Sequence, residues 1–261
     1  MLKFSANLSM LFAEHDFIGR FAAAARAGFK GVEYVGPYSF PKEQVAEALQ
    51  ANGLTQVLFN LPAGDWSAGE RGIACLPGRV NEFQAGVATA IAYAKALNCK
   101  TVNCLSGLVP PGLPHEVAWA TMAGNLAFAA RELSAAGIQL VVEPINRFDM
   151  PGFLLNTSAD GVSMLDAVPG SAIKLQHDIY HMQRMEGELA ATLTRLLPRI
   201  GHIQIADTPG RHEPGTGEIN YRFLFRHLET LGYDGWIGCE YHPKAATEAG
   251  LGWMRELMPV T

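Results

Sequence analysis

A chain of 261 residues, 49% of them apolar and carrying a net charge of −5, suits one large domain with a sizeable core. It has no Lys/Arg run or basic stripe, which argues against a nucleic-acid partner, and no stretch nears the roughly 18 uninterrupted apolar residues of a membrane span. The N-terminus MLKFSAN lacks a basic segment ahead of a long apolar run, and Cys75, Cys99, Cys104 and Cys239 form neither a CxxC pair nor a disulfide framework, so a reducing cytoplasm is the expected compartment.

Short apolar runs alternate with longer amphipathic segments along the whole chain. A strand is predicted over 4–8 and a helix over 16–27, ended by Gly28. Strands over 31–35 and 55–60 bracket a helix over 43–52 that stops at Gly53. The stretch 61–79 is irregular; a loop of that length in a compact domain is usually functional. A helix over 80–97, a strand over 101–105 and a helix over 114–136 follow, the last closed by Gly137. Strands over 138–143 and 173–178 alternate with helices over 158–168 and 185–197. A strand over 202–206 leads into a second irregular loop, 207–218, then a helix over 219–231 ending before Gly232. A strand over 236–240 and a helix over 246–257 complete the count. Strict alternation implies a parallel sheet covered by helices, and eight units favour closure over an open doubly wound sheet. The expectation is a single (β/α)8 barrel of the TIM type over residues 1–261, typical in size at about 250 residues. No linker divides it.

Four oxygen-bearing residues close the last four strands or lie near their ends: Glu143, Asp178, Gln204 and Glu240. Successive members are about one strand–helix unit apart, which takes roughly 30 residues. Such barrels build their active sites at the C-terminal ends of the strands. Any one of these residues alone is more often a helix cap or an ion-pair partner than a ligand; four at equivalent positions point to a shared site. Three carboxylates converging together would repel one another and force a proton onto one of them unless a cation lay between. An all-oxygen set suits Mg²⁺ or Mn²⁺ better than Zn²⁺. His181, three residues past Asp178, should face the same mouth. His177 alternates away toward the helices, and His202 shares the parity of Gln204 one layer deeper. Asn7, Glu33 and Asn60 also end strands, where they either hydrogen-bond to the site or satisfy the upper barrel layer. In the mouth loops, Arg71 and Arg211 are candidate partners for a substrate carboxylate, with a structural ion pair as the alternative.

The segments NLPAGDWSAGERGIACLPGR (60–79), EPINRFDMPGF (143–153), QHDIYHMQRMEG (176–187), RHEPGTGEINY (211–221) and GWIGCEY (235–241) resemble the hydroxypyruvate isomerase family, among the xylose-isomerase-like barrels. The similarity runs over essentially the whole chain. It implies Glu143 and Glu240 as acid/base pair and metal ligands, Asp178 and Gln204 completing the coordination, and His181 and Arg211 at the substrate, Arg211 after a one-residue shift in its loop. Related ketose 3-epimerases have histidine where Gln204 stands. The implied reaction converts hydroxypyruvate to 2-hydroxy-3-oxopropanoate through a metal-stabilised ene-diolate, a step of glyoxylate metabolism. The 2-oxo-tetronate isomerases share HEPxxGEINY and GWIGCEY, but the 60–79 loop and EPINRFDMPGF match the hydroxypyruvate enzymes better. The expected partner is a small hydroxy- or oxo-acid, and a homo-oligomer is compatible with the sequence.

Overall fold

The computed structural model describes residues 2–257. Eight parallel strands close into a barrel in chain order: β1 (Lys3–Asn7), β2 (Gly31–Tyr34), β3 (Thr55–Asn60), β4 (Thr101–Cys104), β5 (Gln139–Val142), β6 (Lys174–Asp178), β7 (Ile200–Ile205) and β8 (Trp236–Cys239). Around them lie α1 (Phe17–Arg26), α2 (Lys42–Ala51), α3 (Val80–Ala96), α4 (His115–Ala135), α5 (Ser158–Asp166), α6 (Ile179–Met185), α7 (Leu189–Leu196), α8 (Tyr221–Thr230) and α9 (Trp253–Glu256). Parallel strands must be covered on both faces, and their β-branched residues, such as Val141, Val142, Ile203, Ile205 and Ile237, are buried accordingly. Helices α1 and α5 are capped by side chains that accept from their orphan amides: Asp16 accepts from Gly19 N at the start of α1, and Thr157 and Asp160 form a capping box on α5.

Register brings the polar strand ends to one rim. Asn7 pairs with Glu33, Asn60 with Asn103, Asp178 with Gln204, and Gln204 with Gly238. Gly238 is required there, because a Cβ at that position would lie 2.2 Å from Glu33 Oε1. Its bare backbone lets the Glu33 carboxylate enter the barrel.

Two stretches differ from the sequence-based expectation. The helix expected over 185–197 is α7, and a further short helix, α6, precedes it. Asp178 caps α6 with its own side chain, and Gly187 (φ 68°) and Glu188 (φ 46°) separate the two in left-handed conformation. The helix expected over 246–257 is reduced to a 3₁₀ turn (Thr247–Gly250) and α9. Gly250 and Gly252 weaken helix there, and Thr247 is tied to the N-terminal segment by Phe12 N and the Glu14 carboxylate. Trp253, buried edge-on against Phe4 at 5.2 Å, still anchors this segment.

Candidate active site

Glu143 follows β5 directly, Asp178 ends β6 and Glu240 follows β8; all three are buried. Together with His181 they offer four ligand atoms lying within 4.8 Å of one another. Each carboxylate is held by a neighbouring donor, Glu143 and Asp178 through one oxygen only. Asn103 donates to Glu143 Oε2 (3.3 Å), Asn7 to Glu240 Oε1 (3.0 Å), and the Tyr180 amide to Asp178 Oδ1 (2.8 Å). Glu143 Oε1 and Asp178 Oδ2 are left buried without a hydrogen-bond partner. Leaving such a group unsatisfied is costly, and a hard divalent cation is the partner that two orphan carboxylate oxygens fit.

Charge is stressed in the same place. Burial pushes the Glu143 carboxyl well above the usual range, and neighbouring Glu240 and Asp178 push it further. Burial raises Glu240 to about 8 and Asp178 to about 6, with Arg211 opposing both shifts. Arg211 Nη2 lies 2.8 Å from Glu240 Oε2 and 3.7 Å from Asp178 Oδ2. Burial works against its charge, but Glu240, Asp178 and Glu143 together hold it above the usual arginine range. Its backbone is left-handed (φ 54°), a costly conformation for a long side chain and one that clusters at functional sites.

Gln204 is buried beside this group and belongs to a polar layer beneath it. Its Nε2 donates to Glu33 Oε1 (2.7 Å), and its Oε1 accepts from Gln176 Nε2 (2.6 Å). A carbonyl oxygen has two lone pairs, so one is left for a cation. Glu33 also accepts from Ser5 Oγ (2.8 Å) and faces His202 Nε2 at 2.9 Å. Burial raises the Glu33 carboxyl, but His202, Gln204 and Ser5 together outweigh it and keep the carboxyl below its ordinary value. His202 and Glu33 therefore lie in the barrel interior. His177 is buried with its Nε2 unpartnered, and burial lowers its pKa to about 4.

His181 stands in the first turn of α6, its Nε2 3.5 Å from Asp178 Oδ2 and 3.8 Å from Glu143 Oε1. Burial, with Arg211 adding to it, holds its pKa well below the usual histidine value. A cavity of about 690 Å³ opens over these groups, lined by Glu143, His181, Arg211 and Glu240 and also by Tyr38 and Trp66. Arg71 is not among the lining residues. Its guanidinium stacks on Trp66 at 4.0 Å and donates to the carbonyls of Trp66 (3.0 Å) and Glu70 (2.7 Å). The backbone carbonyls of its own loop and the Trp66 ring thus hold the Arg71 fork.

Several residues at the site carried no sequence signal. Arg20, on α1, lines the cavity; its Nε and Nη1 donate to the carbonyls of His15 (3.1 Å) and Leu8 (2.7 Å). Among the described residues no carboxylate pairs with it. An arginine on an amphipathic helix ordinarily reads as a solvated face. Asn103 and Gln176 sit on strands and orient Glu143 and Gln204; their strand parity was the one available clue. Asn146, three residues past Glu143, contacts His181 Nδ1 at 2.7 Å.

The sequence model of the xylose isomerase-like TIM barrel family matches residues 21–257. The chain is 55% identical to the hydroxypyruvate isomerase of Escherichia coli K12 over 254 residues, covering 97% of this chain and 98% of that protein. It is 49% identical to the 2-oxo-tetronate isomerase of Cupriavidus necator over 255 residues, covering 98% of each. A crystal structure described as an AP endonuclease, family 2, from Brucella melitensis is similar at a TM-score of 0.96 and 43% identity, with 99% of this chain and 100% of that one covered. A D-psicose 3-epimerase of Clostridium cellulolyticum H10 shares the fold at a TM-score of 0.80 and 16% identity, over 99% and 100% of the two chains.

Proposed function

Because this chain belongs to the xylose isomerase-like TIM barrel family, we propose that it is a hydroxypyruvate isomerase, interconverting hydroxypyruvate and 2-hydroxy-3-oxopropanoate. The observation that carries this reading is the pair Glu143 and Glu240, converging with Asp178 in one buried cluster on a chain similar end to end to an enzyme of that name. The reaction moves a carbonyl by one carbon. A proton leaves C3, an ene-diol forms across C2 and C3, a proton returns at C2, and a hydroxyl proton passes from O3 to O2.

Glu143 and Glu240 are the proton carriers in this proposal. Both are buried, and both have carboxyls raised toward neutrality, where an acid/base group works best. Glu143, Asp178, Gln204 and Glu240 would hold a divalent cation, Mg²⁺ or Mn²⁺, which supplies Lewis-acid polarisation of the substrate oxygens and relieves carboxylate repulsion. His181 and Arg211 face the same point and bind substrate oxygens. The substrate carboxylate needs a cation, and Arg211 is already engaged by Glu240. Among the described residues Arg20 is a wall cation without a carboxylate partner, and we assign the carboxylate to it; Arg71 acts behind it by holding Trp66.

A four-carbon 2-oxo acid is the second reading, favoured by a cavity of about 690 Å³ and by the 49% identity to a 2-oxo-tetronate isomerase. Cleavage of nucleic acid is disfavoured by the net charge of −5. Four free, buried cysteines support placement in a reducing cytoplasm, in glyoxylate metabolism; no helix among the described residues is long and apolar enough to cross a membrane. Assembly as a homo-oligomer is part of the same proposal. The deciding experiment is a coupled assay of hydroxypyruvate against four-carbon 2-oxo acids, with and without chelator. Turnover of hydroxypyruvate that chelator abolishes is expected; no turnover of hydroxypyruvate at any metal concentration would end the reading.

A further inference from the structure

We propose that Asn146 is a positioning residue that holds His181 as the Nε2–H tautomer, so that the ring offers an N–H donor, and not a lone pair, toward substrate oxygens held beside Glu143 and Asp178. This rests on the function proposed above for the same site.

The orientation of the Asn146 amide follows from its own partners. Its Oδ1 accepts from the backbone amides of Phe148 (3.0 Å) and Asp149 (2.9 Å), a local Asx turn. Its Nδ2 donates to Asp149 Oδ2 at 3.0 Å. Turning the amide over would set its NH₂ against two N–H donors and its oxygen against a carboxylate. The group facing His181 Nδ1 at 2.7 Å is therefore the second N–H of Nδ2. Nδ1 must accept, and the one proton of a neutral ring goes to Nε2.

The contacts of Nε2 are longer and divide, so Nδ1 decides. Asp178 Oδ2 at 3.5 Å and Glu143 Oε1 at 3.8 Å are acceptors and favour an N–H. Arg211 Nη2, also at 3.5 Å, would favour a lone pair. That contact lies at the outer edge of hydrogen-bond range, and the 2.7 Å contact at Nδ1 outweighs it. Asp149 is itself held, by the Tyr180 hydroxyl (2.8 Å) and by Arg184, so the Asn146 amide rests on a fixed partner.

The tautomer matters in two ways. An Nε2–H is not available as a metal ligand, although His181 lies within ligand range of the three carboxylates; His181 is thereby assigned to the substrate. A donor aimed at an oxygen that gains negative charge in the ene-diolate stabilises it, whereas a lone pair would repel it.

Nitrogen-15 NMR of histidine-labelled protein reads the tautomer directly, with His181→Gln identifying the resonances. In the wild type, Nδ1 is expected in the unprotonated range and Nε2 in the protonated range. Asn146→Asp, made together with Asp149→Asn so that two carboxylates do not face each other, keeps the size and the Asx turn but presents an acceptor to Nδ1; it should reverse the pattern, while Asp149→Asn alone should not. On hydroxypyruvate the double variant should lower kcat by roughly 10²-fold, the usual cost of one lost donor, with KM moved by only about threefold or less. In a His181→Gln background it should add nothing further. A protonated Nδ1 in the wild type overturns the proposal, and so does a reversed tautomer in the double variant with kcat within about twofold of wild type. Should the double variant fail to fold, the wild-type spectrum alone decides. Should the chain not turn over hydroxypyruvate, the assigned function falls, while the spectrum still decides the tautomer.

Discussion

Arg211 Nη2 lies 2.8 Å from Glu240 Oε2 and 3.7 Å from Asp178 Oδ2, so one guanidinium bridges the carboxylates at the ends of β6 and β8, across the intervening β7. The bridge orients Glu240 and partly offsets the charge of the cluster, while Glu143 Oε1 and Asp178 Oδ2 stay without a hydrogen-bond partner.

Glu143→Gln and Glu240→Gln should each remove isomerase activity by at least about 10³-fold and leave the thermal unfolding transition in place, since the shape is kept. The double variant should be little worse than either single one, because paired catalytic groups act as a unit. Near-normal kcat in either single variant would take that glutamate out of proton transfer.

Cation binding should release protons at neutral pH. Glu240, raised to about 8, holds a proton at pH 7 that a divalent cation displaces, and the upward shift of Glu143 acts in the same direction. Affinity for Mg²⁺ or Mn²⁺ should therefore weaken as pH falls from 8 to 6. Calorimetry in two buffers of different ionisation enthalpy counts the protons released. An affinity independent of pH over that window would contradict this account.

Arg20→Ala should raise KM for hydroxypyruvate by an amount matching the loss of a charge-assisted bond, roughly 1.5–3 kcal/mol. Lysine at the same position should recover only part of it, since a point charge lacks the guanidinium fork. Arg71→Ala should act more weakly and in parallel with Trp66→Ala, because Arg71 reaches the cavity through the Trp66 ring. If Arg71→Ala alone raises KM strongly, the loop carries the carboxylate contact and Arg20 does not.

His177 makes the fold acid-sensitive in a separable way. Burial lowers its pKa to about 4, below the 6.5 of an unfolded histidine. The unfolded chain thus binds a proton that the folded one refuses, and this stabilisation, full above pH 6.5, is lost as pH falls toward 4. The loss is on the order of 3 kcal/mol over that window. The raised carboxylates have the opposite sign, but they are common to wild type and variant. His177→Gln should therefore lose less stability than wild type between pH 7 and 4.5 in denaturant titrations. Parallel pH dependences for the two proteins would refute it.

The barrel was legible because period and punctuation agree along the chain. Runs such as Ile138–Glu143 are too short for helices and too apolar for surface strands, and glycines such as Gly137 and Gly232 stop the helices between them. Less was legible in α6 and near the C-terminus. Asp178 is both strand end and helix cap, so the helix begins without a loop to announce it. Thr247 is held by Phe12 and Glu14, more than 230 residues away in the chain, and no local pattern records that tie.

The site divides along the same line. Strand-end position brought Glu143, Asp178, Gln204 and Glu240 forward as a set, because alternate side chains at the end of a barrel strand face the mouth; Asn7, Glu33 and Asn60 share that placement. What those side chains touch was decided by tertiary structure alone. Arg71 and Arg211 are equally plausible as loop arginines, yet one is captured by its own backbone and Trp66, and the other by Glu240. Arg20 and Asn146 belong to a helix and a turn with no distinguishing composition, and only closure of the barrel brings them to the cavity and to His181. Periodicity fixes the direction of a side chain along its own element; its partner across the barrel depends on register and on loops that only the folded chain brings together.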